Sequence, residues 1–91
     1  MKYLSMQEDK RKIILKALSK TVKRLRGEKS QYRLGAEYDI PSSVISDIER
    51  EAKDPQLTTL FKLSAAFSIH ISDFMLELEK ELPENFSADD D

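Results

Sequence analysis

Ten of the fifteen basic residues lie in the first 29 positions: Lys2, Lys10, Arg11, Lys12, Lys16, Lys20, Lys23, Arg24, Arg26 and Lys29. Only Glu8, Asp9 and Glu28 oppose them, which leaves +7, whereas residues 30–55 carry −3 and residues 56–91 carry −6. The chemistry such a cluster does best is Coulombic attraction to a polyanion, with the acidic end kept away from it. A solvated helix face has the same composition, because Lys and Arg are good helix formers. Covalent and metal chemistry find no support. The serines have no partner histidine, there is no phosphate-cradling Gly-rich loop, and paired carboxylates occur only in the tail. His70 is the only histidine, between Ile69 and Ile71, with no other ligand type grouped around it, and cysteine is absent. No enzyme, cofactor or metal site is expected.

The 91 residues suffice for one domain with one core. No apolar run is long enough to span a bilayer and the N-terminus has no apolar signal region. We expect a cytoplasmic protein that does not engage membranes. With two Gly and three Pro, the apolar spacing reads as helix throughout, so the fold class is all-α with five helices. A basic N-terminal helix occupies residues 1–29, opened by a Ser5–Glu8 capping box and stopped at Gly27, with Ile14, Ala17, Leu18, Val22 and Leu25 on its apolar stripe. Ser30 caps a short helix Gln31–Tyr38, and a third runs from Pro41 or Ser42 to Arg50. Thr58 caps a fourth helix through Phe67, and Ser72 a fifth bearing Phe74, Met75, Leu78 and Leu82. Met75, Phe61, Phe67 and Phe74 are assigned to the core. Residues 30–82 form the remainder of the domain, and 83–91 read as a disordered acidic tail.

The segment Gln31–Arg50, QYRLGAEYDIPSSVISDIER, meets the demands of two short helices crossing steeply about a tight turn. Its fifth position must be small, because the second helix crosses close to it, and is Gly35. Its fourth, eighth and tenth should be apolar and are Leu34, Tyr38 and Ile40. The fifteenth and eighteenth, on the second helix, are Ile45 and Ile48.

From Ser30 to about Leu78 the chain resembles the helix-turn-helix domain of phage repressors, Cro and the xenobiotic-response-element regulators. The matching residues are Ser30-Gln31-x-x-Leu34, Ser43-x-Ile45-Ser46-x-Ile48-Glu49-Arg50, Asp54-Pro55, Leu57-x-Thr59-Leu60-x-Lys62-Leu63-x-x-Ala66-Phe67 and Ile69-x-Ile71-x-Asp73-Phe74. The resemblance implies a repressor-like, five-helix DNA-binding domain with a central helix-turn-helix, whose third helix enters the major groove. Ser42, Ser43, Ser46 and Asp47 then fall on the groove-facing side, with Val44 placed for a thymine methyl. Gln31 falls where the family contacts phosphate, and Arg50 and Lys53 are further phosphate candidates. The resemblance also implies that Glu49 is structural, paired with Arg24 or Arg26 of the first helix.

Several positions depart from the family. Asp39, Glu51 and Ser68 stand where glycine is usual, and Gly35 stands where alanine is usual. The groove-facing set contains no Arg, Lys, Gln or Asn, the usual bidentate readers of guanine and adenine.

The function expected from the resemblance is a transcriptional regulator, a repressor binding a pseudo-palindromic operator in double-stranded DNA as a homodimer. Leu76, Leu78 and Leu82 of the fifth helix, with the long first helix, offer apolar surface for the second copy. The alternative is an interaction module of the same fold, an antitoxin-like protein or co-regulator whose partner is another protein.

Overall fold

The computed structural model describes residues 2–87, with side chains from Asp9 onward. Among these residues the chain forms five α-helices and no strand: α1 Lys2–Arg26, α2 Gln31–Tyr38, α3 Ser42–Glu49, α4 Leu57–Ala66 and α5 Ile71–Lys80. The molecule measures 42 × 23 × 22 Å; α1 alone, at about 1.5 Å per residue, accounts for most of the long axis. Helix α1 packs against α3 and α5, α2 against α3 and α4, and α4 against α5. No described helix is long and apolar enough to cross a membrane.

One core serves all five helices. Ala17, Leu18 and Val22 of α1 meet Leu34 of α2, Ile40 of the turn and Ile45 and Ile48 of α3, with Leu63, Phe74 and Leu78 closing the far side. The Phe67 and Phe74 rings stack at 6.2 Å between centroids, within the range where aromatic pairs add to simple burial. The expected stripe of α1 is present, though Ile14 and Leu25 are only half-buried, while Leu15, Ser19 and Thr21 are also buried. Leu82, beyond the end of α5, is half-buried and packs against the core. Three apolar residues assigned inward are not core: Tyr38 is 38% exposed, Phe61 50% and Met75 41%. In each helix the stripe facing the core is narrower than its apolar composition, and these residues lie on its flanks. Leu78, assigned to a surface for a second copy, is instead buried under α5, leaving Leu76 exposed.

Three of the expected caps are displaced. Helix α1 begins at Lys2, ahead of the Ser5–Glu8 box, whose side chains lie outside the described residues. Helix α4 closes its first turn on the carbonyl of Gln56, and α5 on that of His70, so Thr58 and Ser72 sit one residue inside their helices and cap nothing. No side-chain cap bond is made at either start. Ser30 does cap α2: its Oγ accepts the N–H of Arg33 at 3.0 Å.

After α5, the Phe86 N–H donates to the Pro83 carbonyl at 3.0 Å. Residues 83–87 line a shallow surface cavity with Lys10 and Ile13 of α1. The acidic triplet Asp89-Asp90-Asp91 lies outside the described residues.

The departures from the family at helix ends have a common geometry. Asp39, Glu51 and Ser68 all adopt left-handed backbone, at φ 56°, 60° and 59°. Behind α3, Glu51 N–H reaches the Ile48 carbonyl and Ala52 N–H that of Asp47; behind α4, Ser68 N–H reaches Ala65 and Ile69 N–H reaches Ser64. These are paired Schellman closures whose left-handed residue is normally glycine. A side chain there carries about 1–2 kcal/mol of strain, partly offset by the smaller entropy loss of a non-glycine residue. Ser68→Gly is therefore expected to raise stability by about 0.5–1 kcal/mol in urea titration. Gly35 tests the opposite case. A Cβ there would run into the carbonyl oxygen of Ile40, with the Ile45 side chain at 3.3 Å. Alanine gains about 1 kcal/mol in helix propensity. The clash is with backbone and outweighs that gain, so Gly35→Ala is expected to lower the urea midpoint.

Candidate nucleic-acid interface

Helix α3 is seated from beneath and bare above. Ile45 and Ile48 are buried to 0% and 2% exposure, while Ser42 and Ser43 stand in solvent, and Ser46 and Asp47 are half-buried. The alternation follows from helical spacing: residues 45 and 48 share the inner face, and 42, 43, 46 and 47 fall around it. Val44 is half-buried against the core. It lines a cavity of about 300 Å³ with Asp47, Lys53, Gln56 and Thr59, so it presents an edge, not a whole side chain, to solvent.

What fixes the register of α3 is Glu49. Its side chain is 5% exposed, and both carboxylate oxygens are satisfied. Arg26 Nε donates to Oε2 at 2.7 Å and Arg26 Nη2 to Oε1 at 2.8 Å, a bidentate pair. Gln31 Nε2 adds a third bond to Oε1 at 3.0 Å. The remaining Arg26 nitrogen, Nη1, donates to the Lys29 carbonyl at 2.7 Å, which holds the α1–α2 connection against the pair. The Ser19 hydroxyl, buried in α1, donates to the Glu49 backbone carbonyl at 2.6 Å. The choice between two arginines is thus resolved by distance: Arg26 takes Glu49. Arg24 points across α1 to α5, where Nη1 meets Glu77 Oε1 at 2.9 Å and Nε meets Glu81 Oε2 at 3.2 Å.

Burial pushes the Glu49 carboxyl up, but hydrogen bonds from Arg26 and Gln31 and the charges of Arg26 and Lys23 more than offset it and hold the group below the usual carboxylate range. Glu77 is also lowered, by Lys80 and Arg24.

The sequence-predicted site residues separate into three groups. Ser42 and Ser43 are exposed at the start of α3. Ser46, Asp47, Arg50 and Lys53 come together: Arg50 Nη2 lies 2.5 Å from Asp47 Oδ1 and Lys53 Nζ 3.8 Å from Asp47 Oδ2. Arg50 Nε also donates to Ser46 Oγ at 3.3 Å. Gln31 belongs with Glu49, its amide nitrogen engaged beneath α3. Tyr32 has no role assigned from its sequence, yet it is 75% exposed and shares a concavity with Gly35, Pro41 and Ser42. An aromatic at an outward-facing position next to the turn is the only sequence signal for it. Ser19 gives none, because a serine on an apolar stripe does not announce a bond to another helix. Lys62 Nζ donates to the Asp39 carbonyl at 3.3 Å and ties α4 to the turn.

On α1, Lys12, Lys16, Lys20 and Lys23 are exposed and recur at intervals of four and three, which places them on one side of the helix.

Removing one partner of the buried pair leaves the other charge unpaired, so Arg26→Ala is expected to cost about 3 kcal/mol in denaturant unfolding. An Arg26→Met, Glu49→Met double variant should cost much less than the sum of its singles. The lowered Glu49 carboxyl also has a sign. The unfolded chain takes up a proton at about pH 4.3 and the folded chain resists it, so this contribution is constant above that pH and is lost as the pH falls through the lower folded value. Thermal melts of the parent protein and Glu49→Gln should show this difference in acid sensitivity only below about pH 4.3.

The family model described as Helix-turn-helix (HTH_3) matches residues 22–74, from the last turn of α1 through the first half of α5. No curated protein and no solved structure matches the chain. The matched span covers more than half of the sequence and holds the Arg26–Glu49 pair, the crossing at Gly35 and the exposed start of α3, and the chain belongs to the Helix-turn-helix family (HTH_3).

Proposed function

We propose that the protein is a sequence-specific DNA-binding transcription regulator, a repressor that acts as a homodimer on a pseudo-palindromic operator. The observation that carries the reading is the construction of α3: two isoleucines and a buried, fully bonded Glu49 hold it rigidly, while its outward side keeps its hydroxyls and one carboxylate. A short helix fixed beneath and open above is what major-groove insertion requires. Ser42, Ser43, Ser46 and Asp47 are the proposed base-facing residues, with the half-buried Val44 beside them. Arg50, Lys53 and the N-terminal backbone of α2 at Gln31 are the proposed phosphate contacts. The lysines along α1 add sequence-independent attraction. Serines read bases poorly, so backbone contacts and DNA shape carry much of the recognition.

A second copy is needed because one short helix reads few bases. The exposed Met75 and Leu76 of α5, at 41% and 50%, are the apolar groups available for that contact. A specific observation also favours a protein partner instead of DNA: the cations at the end of α3 are already paired with Asp47, which leaves the recognition side less basic than the composition suggests.

Selection from genomic fragments with purified protein separates the two. The expected result is an inverted repeat with half-sites about 34 Å apart, bound far more weakly at about 200 mM than at about 50 mM salt, because each phosphate contact contributes about −0.9 to the log–log slope. A monomer at high concentration that enriches no sequence would refute the reading and direct attention to protein partners.

A further inference from the structure

Helix α3 ends in an ion cluster built on Asp47. Arg50 lies back along the helix, bonded through Nη2 to Asp47 Oδ1 at 2.5 Å and through Nε to Ser46 Oγ at 3.3 Å. Lys53 comes from beyond the helix to within 3.8 Å of the other carboxylate oxygen. The Asp47 side chain is only 22% exposed, against 65% for Arg50 and 76% for Lys53. The carboxylate therefore sits at the floor of the cluster and the cations at its mouth. It also lines the cavity beside Val44, Gln56 and Thr59.

We propose that Asp47 is a specificity-determining residue that holds Arg50 and Lys53 back from phosphate and releases them only where a cytosine amino group takes their place at its carboxylate. The inference rests on the DNA-binding reading above. An ionised carboxylate is an acceptor only. Pressed against a base edge without a donor it is desolvated and unpaired, so most bases leave the Arg50 and Lys53 pairings in place. The cytosine N4 amino group is the major-groove donor with no acceptor beside it on the same base; adenine presents N7 next to its amino group. Exposed ion pairs are weakly held, which makes this an exchange and not a lock: the cations move outward to phosphate when the amino group arrives. On duplexes of arbitrary sequence the exchange does not occur, and binding stays weak.

Asp47→Asn keeps the shape and removes the charge. The test compares this variant with the parent protein on a random-sequence duplex and on the best selected duplex, at about 50 and 200 mM salt. Asp47→Asn is expected to bind the random duplex more tightly. Its loss of affinity between the two salts should grow by a factor of about 3.5 for each further phosphate that the freed cations neutralise. The ratio of selected to random affinity should fall about ten-fold, within the range of one lost base contact. Adding Arg50→Gln should remove much of the tighter binding. Glu79→Gln, the same charge change on α5, should leave the ratio unchanged. The proposal is overturned if Asp47→Asn binds random duplex no better than Glu79→Gln, or keeps the parent's ratio. If neither parent nor variant binds any duplex at the lower salt, the DNA-binding reading falls and this role falls with it. A parent that selects a site and a variant that behaves identically removes the role of Asp47 alone.

Discussion

The ion pair between Arg26 and Glu49 is where the fold is joined. A carboxylate at 5% exposure is tolerable only if its lone pairs are met by charge and hydrogen bonds, since burying it unpaired costs several kcal/mol. The three donors that meet it come from two places, the last residue of α1 and the first of α2, and a fourth, from Ser19, meets the backbone of the same residue. Four segments are thereby brought to one point: α1, the connection after it, α2 and the end of α3. The bidentate geometry adds direction to the energy, because a planar guanidinium accepts a carboxylate edge in one orientation. Apolar contacts between Val22, Ile45 and Ile48 would hold α1 against α3 without fixing how far along they slide; the ion pair does fix it.

The second constraint is the crossing of α2 and α3. The two helices approach so closely at Gly35 that the Ile40 carbonyl occupies the space of a side chain. The chain turns between them through left-handed Asp39, and Lys62 of α4 braces that residue's carbonyl. The same left-handed device closes α3 at Glu51 and α4 at Ser68. These three stops end α2, α3 and α4, and Ser42 and Ser43 at the start of α3 are exposed.

The charge balance changes once the pairs are known. Arg24, Arg26 and Arg11 belong to the acid-rich remainder of the chain, opposite Glu77 and Glu81, Glu49, and Asp54 at 3.8 Å. Lys12, Lys16, Lys20 and Lys23 of α1 stay on its exposed side. Arginine goes to the geometrically demanding sites and lysine to the solvated ones, as their hydration and donor patterns favour. Exposed pairs such as Lys29–Glu37, at 2.7 Å, are screened by solvent and are secondary.

The residues alone determined the number and order of the helices, because apolar spacing and stop signals such as Gly27 are local. They determined the bounds of α2 as well, since Ser30 caps it through its own side chain. The positions of the left-handed turns were also legible, as departures from a family pattern rich in glycine. What the residues did not determine is which of two helix-1 arginines, two positions apart, reaches Glu49. Nor did they determine that Tyr38, Phe61 and Met75 remain outside the core, or that Asp47 faces Arg50 and Lys53. Each of these depends on the angle at which one helix lies against another. Rotating α1 by about 200° exchanges Arg24 for Arg26, and tilting α4 changes which flank of an apolar helix is covered. Local sequence sets the period of a helix; only the packed core, closed around Phe74 and Leu63, sets its rotation.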